Sequence, residues 1–489
     1  MYSEVLLKIY TGKLWSLVVL IFILQNPAAT LAQDQVKQYD EGSVYEGSFK
    51  NGLRNGLGKY TMPDGFTYEG EWKDDQIQGK GVARYPTGQI FEGFFEQGVP
   101  DGEGTMTFSD GTKYEGSWLD GKMEGDGVLS MTDGSIFKGK FSNNNRDGYG
   151  EMNYSDGSIF KGNWKNNEKQ GNGTLIYADK STYEGNWEKG LQQGFGKLTT
   201  KDGVVLEGEW KNGKINGIGK LIQSNGDRYE GSLVNWKRNG KGVSIYTTGE
   251  KYDGNFKDDL RHGQGILTGQ DGFRYEGNWL LGKMNGFGKI TYSSGSEYEG
   301  NFKDNQPNGI GKIFFSDGGS YEGSWVNGVI EGRGIAKYAN GLVYEGEFSR
   351  GKNNGFGTMT YSDGYIYKGN WKDDKMHGSG VLSSKDGTVY DGEYKNNNKH
   401  GNGILKNADG KYVGSWKDDK MDGHMVITGC DDKTYEGNFQ DGSPQDGYLM
   451  FRDSKGGLYQ GNYEKQEALC LLDTLVACLL DRQTVRPSS

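Results

Sequence analysis

Cysteine is almost missing from this 489-residue chain: only Cys430, Cys470 and Cys478 occur, all near the C-terminus. Three thiols cannot staple a chain of this length, and without a Cys-x-x-Cys spacing they build no zinc site. Histidine is nearly as scarce, at four residues. His262, His377 and His400 each stand just before a Gly-x-Gly and read as turn residues, too far apart to share an ion. Nucleophile-elbow and P-loop spacings are lacking. The acidic pairs Asp74-Asp75, Asp258-Asp259, Asp373-Asp374 and Asp418-Asp419 have no EF-hand-like loop around them and read as solvated turn residues. No catalytic, cofactor-binding or metal site is expected.

A surplus of positive charge is lacking too. Lys and Arg number 56 against 66 Asp and Glu, mixed along the chain, with a formal net charge of -10. Without a basic stripe, nucleic acid is not expected as a partner, and net charge gives anionic lipid no help. Long apolar runs are absent except near the start. Residues Leu14–Leu24 form an eleven-residue apolar segment, short of the roughly 20 residues that span a bilayer. Thr30 and Ala32 stand at the small-residue positions of a cleavage site after Ala32. Residues 1–32 therefore read as a cleaved signal, an uncleaved anchor or a short tether, with a misassigned start of the coding sequence as the remaining alternative. Residues 33–44 read as a linker.

Glycine and aromatics are plentiful instead: 84 Gly, 31 Tyr, 21 Phe and 11 Trp. That excludes collagen, which needs a three-residue glycine period, and simple disorder, which is poor in aromatics. It points to a glycine-punctuated repeat. Tyr45-Glu46-Gly47-Ser48-Phe49 returns as Tyr68-Glu69-Gly70-Glu71-Trp72 and as Tyr114-Glu115-Gly116-Ser117-Trp118. The period is 23 residues through Tyr390, then slips to Tyr412, Tyr435 and Tyr459, giving nineteen copies.

Each copy splits into two strand-like halves. In the first, the opening aromatic, the Gly two on and the aromatic four on share one sheet face. The second begins at a Gly-x-Gly such as Gly56-Leu57-Gly58, after a polar bridge such as Asn51-Gly52-Leu53-Arg54-Asn55. Asp64-Gly65, Asp110-Gly111 and Asp317-Gly318 join successive copies, and such dipeptides tolerate the φ > 0 of tight hairpins. A glycine between two aromatics leaves a gap over which a neighbouring ring can lie flat, which explains a stable sheet with few Val and Ile.

This pattern resembles the MORN (membrane occupation and recognition nexus) repeat and covers most of residues 45–463. The resemblance implies an all-β fold: an elongated single-layer antiparallel sheet of about 18 stacked hairpins, on the order of 170 Å long. It implies a non-catalytic scaffold that contacts other proteins of a cytoskeletal, ciliary or cortical assembly. The alternative it leaves open is a membrane-associated organiser of the secretory pathway with phosphoinositide binding. The signature aromatics by position are Tyr68, Trp72, Tyr114, Trp118, Tyr183, Trp187, Tyr275, Trp279, Tyr321, Trp325, Trp371 and Trp416. They are expected to be structural first, or else to line an exposed groove for a partner segment, because a single-layer sheet cannot hide both faces.

Two departures stand out. Leu206 replaces an opening aromatic, and Leu233 replaces a second one with Trp236 in the adjoining turn, marking a bend, a partner-contacting patch or drift. Beyond Tyr412 the Gly-x-Gly is lost at Gly423-His424-Met425, as befits a terminal, capping region. Lysine follows the second aromatic in nine copies (Lys50, Lys73, Lys165, Lys211, Lys257, Lys303, Lys372, Lys395 and Lys417), usually beside an acid or Asn, so it supports only a weak acidic-lipid contact. The tail, residues 464–489, carries Leu472, Leu475 and Leu479 in a short helix-like run, read as a cap for the last hairpins or as a homodimer or partner contact.

Overall fold

The computed structural model describes residues 35–429, 434–445, 447–452 and 455–463. These residues form 39 strands, numbered β1 to β39 in chain order, and no helix. They divide between Gln170 and Gly171 into two compact units. In the first, each strand from β1 (Gln35–Gln38) to β12 (Ile159–Lys165) pairs antiparallel with its neighbours in sequence. In the second the same rule runs from β13 (Glu168–Ile176) towards β39 (Leu458–Tyr463), with β36 (Thr434–Gln440) pairing both β37 (Ser443–Pro444) and β38 (Gly447–Arg452). Each unit is thus an open, single-layer antiparallel sheet of stacked hairpins. β1 lies inside the stretch expected to be a linker; it pairs with β2 (Val44–Lys50) and supplies the edge strand of the first unit.

Each repeat closes through a two-residue turn. Asn51 and Gly52 take φ of 54° and 81°, and Asp304 and Asn305 take 50° and 72°. Positive φ at both central residues is the type I′ hairpin, tolerated best by Asn, Asp and Gly. The expected five-residue bridge 51–55 is therefore corrected: β3 (Leu53–Thr61) begins immediately after Gly52. Gly56 takes a φ of 90° within this strand. Conversely, Asp64-Gly65 is not a two-residue turn. It lies in a five-residue loop in which Met62 N–H donates to Phe66 O (2.8 Å), Gly65 N–H to Met62 O (3.1 Å) and Phe66 N–H to Asp64 Oδ1 (2.9 Å).

The glycines meet across the strands. Gly300 faces Gly311, which faces Gly323, which faces Gly334, and the same ladder runs through the first unit from Gly47 and Gly58 to Gly150 and Gly162. The opening ring lies flat on this ladder: a Cβ at Gly311 would come within 2.5 Å of Tyr298 Cε2. The rings then chain edge to face. Tyr298 is 5.1 Å from Phe302 in its own repeat and 5.3 Å from Trp325 in the next, at interplanar angles of 86° and 82°. That T-shaped geometry sets the positive edge of one ring on the negative face of another. Trp325 Nε1 donates to Gly311 O (3.3 Å), so the indole N–H is satisfied although buried.

Between the ladder glycine and the second aromatic the register slips, as at Gly300/Phe302, and the bulge releases one carbonyl from the ladder. The opening tyrosine takes it: Tyr298 Oη donates to Asn301 O (3.0 Å), Tyr45 Oη to Ser48 O (3.0 Å) and Tyr367 Oη to Asn370 O (2.9 Å). Tyr298→Phe is accordingly expected to cost about 1 kcal/mol, read as a lower urea midpoint at unchanged slope. An unchanged midpoint would mean that water already serves the Asn301 carbonyl.

The ladder breaks where the sequence pattern weakens. Met425 stands opposite Gly414 and Gly437 in the glycine row. Its side chain is fully buried, and its Sδ lies 2.5 Å from where a Cβ at Gly414 would be. Met425 thus fills the space a ring occupies elsewhere. Tyr412 is only half-buried, whereas the other opening tyrosines from Tyr45 to Tyr435 are 3% exposed or less.

Candidate functional site

All twelve signature aromatics lie in the core. Tyr68, Tyr114, Tyr183 and Tyr275 are fully buried, Tyr321 nearly so, and Trp72, Trp118, Trp187, Trp279, Trp325, Trp371 and Trp416 are at most 7% exposed. They occupy the structural place expected first, and the alternative of an open aromatic groove is corrected, because the sheet carries its own roof. In several repeats the second residue of the returning strand folds over the rings: the Arg54 guanidinium lies 4.2 Å from the Trp72 ring centroid and Arg146 lies 4.5 Å from Trp164. Loop residues complete the cover. Gln192 Nε2 donates to Tyr177 Oη (2.9 Å), and Tyr338 Oη donates to Asn353 Oδ1 (3.1 Å).

The roof is fastened by residues first read as solvated. In each acidic pair the second residue takes positive φ and turns its carboxylate onto the preceding repeat. Asp75 Oδ1 accepts from Arg54 N–H (2.7 Å), Asp259 from Arg238 N–H (2.9 Å), Asp374 from Asn353 N–H (2.8 Å) and Asp419 from Lys399 N–H (2.8 Å). Asn305 does the same for Met284 N–H (2.8 Å). These are clasps between repeats. Their signal in the sequence is an Asp or Asn at a turn position where other copies carry Gly. Among the described residues no three His, Cys, Asp or Glu converge as metal ligands.

The histidines correct another expectation. His262, His377 and His400 lie within β21 (Leu260–Thr268), β31 (Lys375–Ser383) and β33 (Asn398–Asn407), not in turns, because the turn is two residues long. They are half-buried, each with Nδ1 lacking a hydrogen-bond partner.

Leu206, Leu233 and Trp236 form one compensated substitution. Leu233 Cδ1 and Ile215 Cδ1 would lie 2.8 Å and 3.2 Å from a Cβ at Gly219, filling the space a tyrosine ring takes elsewhere. Leu233 and Ile215 are fully buried, and Leu206 is 5% exposed. Trp236 takes φ of 72° in the turn and sets its ring 5.0 Å from Trp210 at 81°, restoring an edge-to-face partner. It stays 44% exposed. Leu472, Leu475 and Leu479, with the rest of residues 464–489 and residues 1–32, lie outside the described residues. The nine lysines after the second aromatic are all exposed at strand ends.

The surface that remains open is the opposite face. There the middle residue of Gly-x-Gly projects away from the rings, and in several copies it is large and apolar: Phe195, Ile218, Phe287, Ile310 and Phe356 are all at least half exposed. Alongside runs a second row in which Lys289, Glu299, Lys312 and Glu322 stand side by side across four strands. Between the rows the glycine backbone forms the floor of a trough. In the first unit a groove of about 660 Å³ is walled by Glu103, Glu115, Asp126, Lys138, Lys140 and Tyr149. In the second, one of about 700 Å³ is walled by Ile310, Glu322, Arg333, Ile335, Glu345 and Phe356, and another of about 520 Å³ by Val205, Ile222, Val243 and Ile245 with Glu207, Lys220 and Arg228. Such a surface can hold a partner through apolar and charged contacts. Its signal in the sequence is the large apolar residue between the two glycines, as at Phe287 and Ile310, which a pattern of rings and glycines does not register.

A sequence profile of the MORN repeat matches 17 consecutive segments between residues 45 and 430. No curated protein matches the chain. Among solved structures, the TCP domain of SAS-4 from Drosophila melanogaster, in complex with a proline-rich motif of Ana2, is similar at 14% identity over 38% of this chain and 96% of that one, with a TM-score of 0.21. The CPAP G-box domain is similar at 10% identity over 55% of this chain and 100% of that one, with a TM-score of 0.12. An inactive virginiamycin B lyase from Staphylococcus aureus is similar at 11% identity over 71% and 99%, with a TM-score of 0.11. Scores this low carry no argument.

Proposed function

We propose that this chain, which belongs to the MORN repeat family, is a non-catalytic scaffold that organises a cytoskeletal, ciliary or cortical assembly through contacts with other proteins. The observation that carries this reading is the division of labour between the two faces. The aromatic face is consumed by its own packing, whereas the opposite face offers a repeating array of exposed apolar and charged side chains above a glycine floor. A surface that repeats with the fold suits a protein whose task is to hold partners in register.

The test compares the full chain with a form beginning at Gln33, both tagged at the C-terminus, by fractionation and glycan analysis. Both forms are expected in the cytosolic or cytoskeletal fraction without glycans. Glycans on the full chain alone, at Asn153-Tyr154-Ser155 or Asn172-Gly173-Thr174, would replace this reading with a secretory-pathway organiser. A pulldown that enriches no more than a scrambled-sequence control would remove the scaffold itself.

A further inference from the structure

We propose that the outer trough of the second unit, between Phe287 and Phe356, docks a basic amphipathic α-helix of a partner protein laid across the strands. This rests on the scaffold reading and names the kind of partner that one surface takes.

The argument begins with spacing. Phe287, Ile310, Arg333 and Phe356 are the middle residues of successive Gly-x-Gly motifs, one per repeat, in β23 (Lys283–Thr291), β25 (Gln306–Phe314), β27 (Val329–Lys337) and β29 (Lys352–Thr360). Neighbours in this row are two strands apart, about 9.6 Å. Residues seven apart on an α-helix are separated by about 10.5 Å, and those at alternating steps of three and four by about 5.3 Å on average. A helix running across the strands therefore places one apolar side chain near each strand, and drifts by only about 3 Å over three repeats. A β-strand turns a side chain to the same face only about every 6.6 Å, which falls out of step with a row spaced at about 9.6 Å.

The shape agrees. The groove crosses five consecutive strands, from Ile310 to Phe356, with Gly323, Gly334, Gly346 and Gly357 as its floor. It is only as wide as the two residues flanking a glycine, so it admits a ridge of side chains rather than a whole backbone. Phe287, Ile310 and Phe356, exposed at 56%, 62% and 50%, are the apolar contacts on one wall.

The charge decides the polarity of the occupant. Lys289, Lys312 and Arg333 are each within 4 Å of a carboxylate: Glu297 at 2.8 Å, Glu322 at 3.1 Å and Glu347 at 3.5 Å. With Glu299, which stands between Lys289 and Lys312, and Glu345 on the opposite wall, five carboxylates face these three cations and leave a surplus of negative charge. A helix with apolar residues towards Phe287, Ile310 and Phe356 and lysines or arginines towards Glu299 and Glu345 satisfies both. The trough of the first unit has the same floor but carries Glu103 and Asp126 at the corresponding positions, and it offers no such apolar row.

The test uses the full chain and a synthetic 21-residue peptide with leucine at heptad a and d positions and lysine elsewhere, titrated by fluorescence anisotropy. A same-composition peptide with a central proline serves as the control. The intact peptide is expected to bind at least tenfold more tightly than the proline form. It should lose at least tenfold in affinity to the chain carrying Phe287→Ser, Ile310→Ser and Phe356→Ser, and similarly to Glu299→Lys with Glu345→Lys. All these side chains are exposed, so circular dichroism should not change. Equal binding by the triple variant, equal binding by the proline peptide, or binding strengthened by the lysine substitutions would overturn the proposal. A pulldown with the same variants separates the two readings. A partner set that exceeds the scrambled control and is unaffected by the triple variant removes the trough but leaves the scaffold.

Discussion

Gly311→Ala is expected to destabilise its hairpin by about 3 kcal/mol or more, far beyond the usual effect of adding one methyl group. The new Cβ would fall into the Tyr298 ring, which packs flat against that glycine and cannot slide, being held by Phe302 and Trp325 on its two sides. Expelling the ring forfeits a fully buried aromatic. The comparison is Gly318→Ala, where φ, unlike that of Gly311, is positive at 93° but nothing lies within 4 Å of the added carbon. That change should cost only about 1 kcal/mol, through backbone strain alone. Amide hydrogen exchange in β24 (Glu297–Lys303) and β25 resolves the two, because a stack of hairpins opens locally. If Gly311→Ala protects these amides as well as Gly318→Ala does, the flat-ring account is wrong. Adding Tyr298→Ala to Gly311→Ala should bring less than the sum of the two losses, since the first change removes what the second clashes with. Met425 shows a natural form of this exchange, with Tyr412 moved out of the core beside it.

Alkali is expected to unfold the sheet cooperatively from about pH 10 upward. Burial pushes the hydroxyls of Tyr252, Tyr321 and Tyr435 up to about 12, and pushes Tyr298, Tyr344 and Tyr367 higher still. The sign follows from which state ionises first. The unfolded chain loses these protons near the ordinary tyrosine value of about 10, while the folded chain keeps them. The advantage of burying neutral rings is complete below that pH and is lost as pH rises towards the folded values, by about 1.4 kcal/mol per tyrosine for each pH unit. With many such tyrosines the losses accumulate steeply. Tyrosinate absorbance and far-UV circular dichroism should therefore change together. A gradual titration of all 31 tyrosines around pH 10, with the strand signal intact, would contradict the burial described above.

The period, the hairpins and the flat packing of rings on glycine were legible in the sequence, because each depends on residues in strict alternation. What was illegible depends on bends in the backbone. Alternation does not register the slip between Gly300 and Phe302, so the role of the tyrosine hydroxyl was hidden, and Leu53, Arg54 and Asn55 were placed in a bridge although they lie in β3. The roof over the rings was missed for a related reason. Arg54 reaches Trp72 only because Asp75, a repeat later, turns back to hold it. Composition suggests neither contact. The candidate surface was the least legible part, since Phe287 and Ile310 look like core residues until the pleat is known to point them outward.

Every strand of the second unit hydrogen-bonds to the strand before or after it in sequence, with β36 reaching past the two-residue β37 to β38. Tension applied across such a meander loads one hairpin at a time, as in a zipper, rather than shearing many strands together. Because clasps and ring contacts link only adjacent repeats, the release of one hairpin costs its neighbour a clasp or a ring partner and leaves the hairpins beyond it intact. The unit should consequently behave as an extensible element that yields in steps of one repeat and recloses from any surviving hairpin, an elastic property contained in the same glycine-and-ring pattern that makes it a sheet.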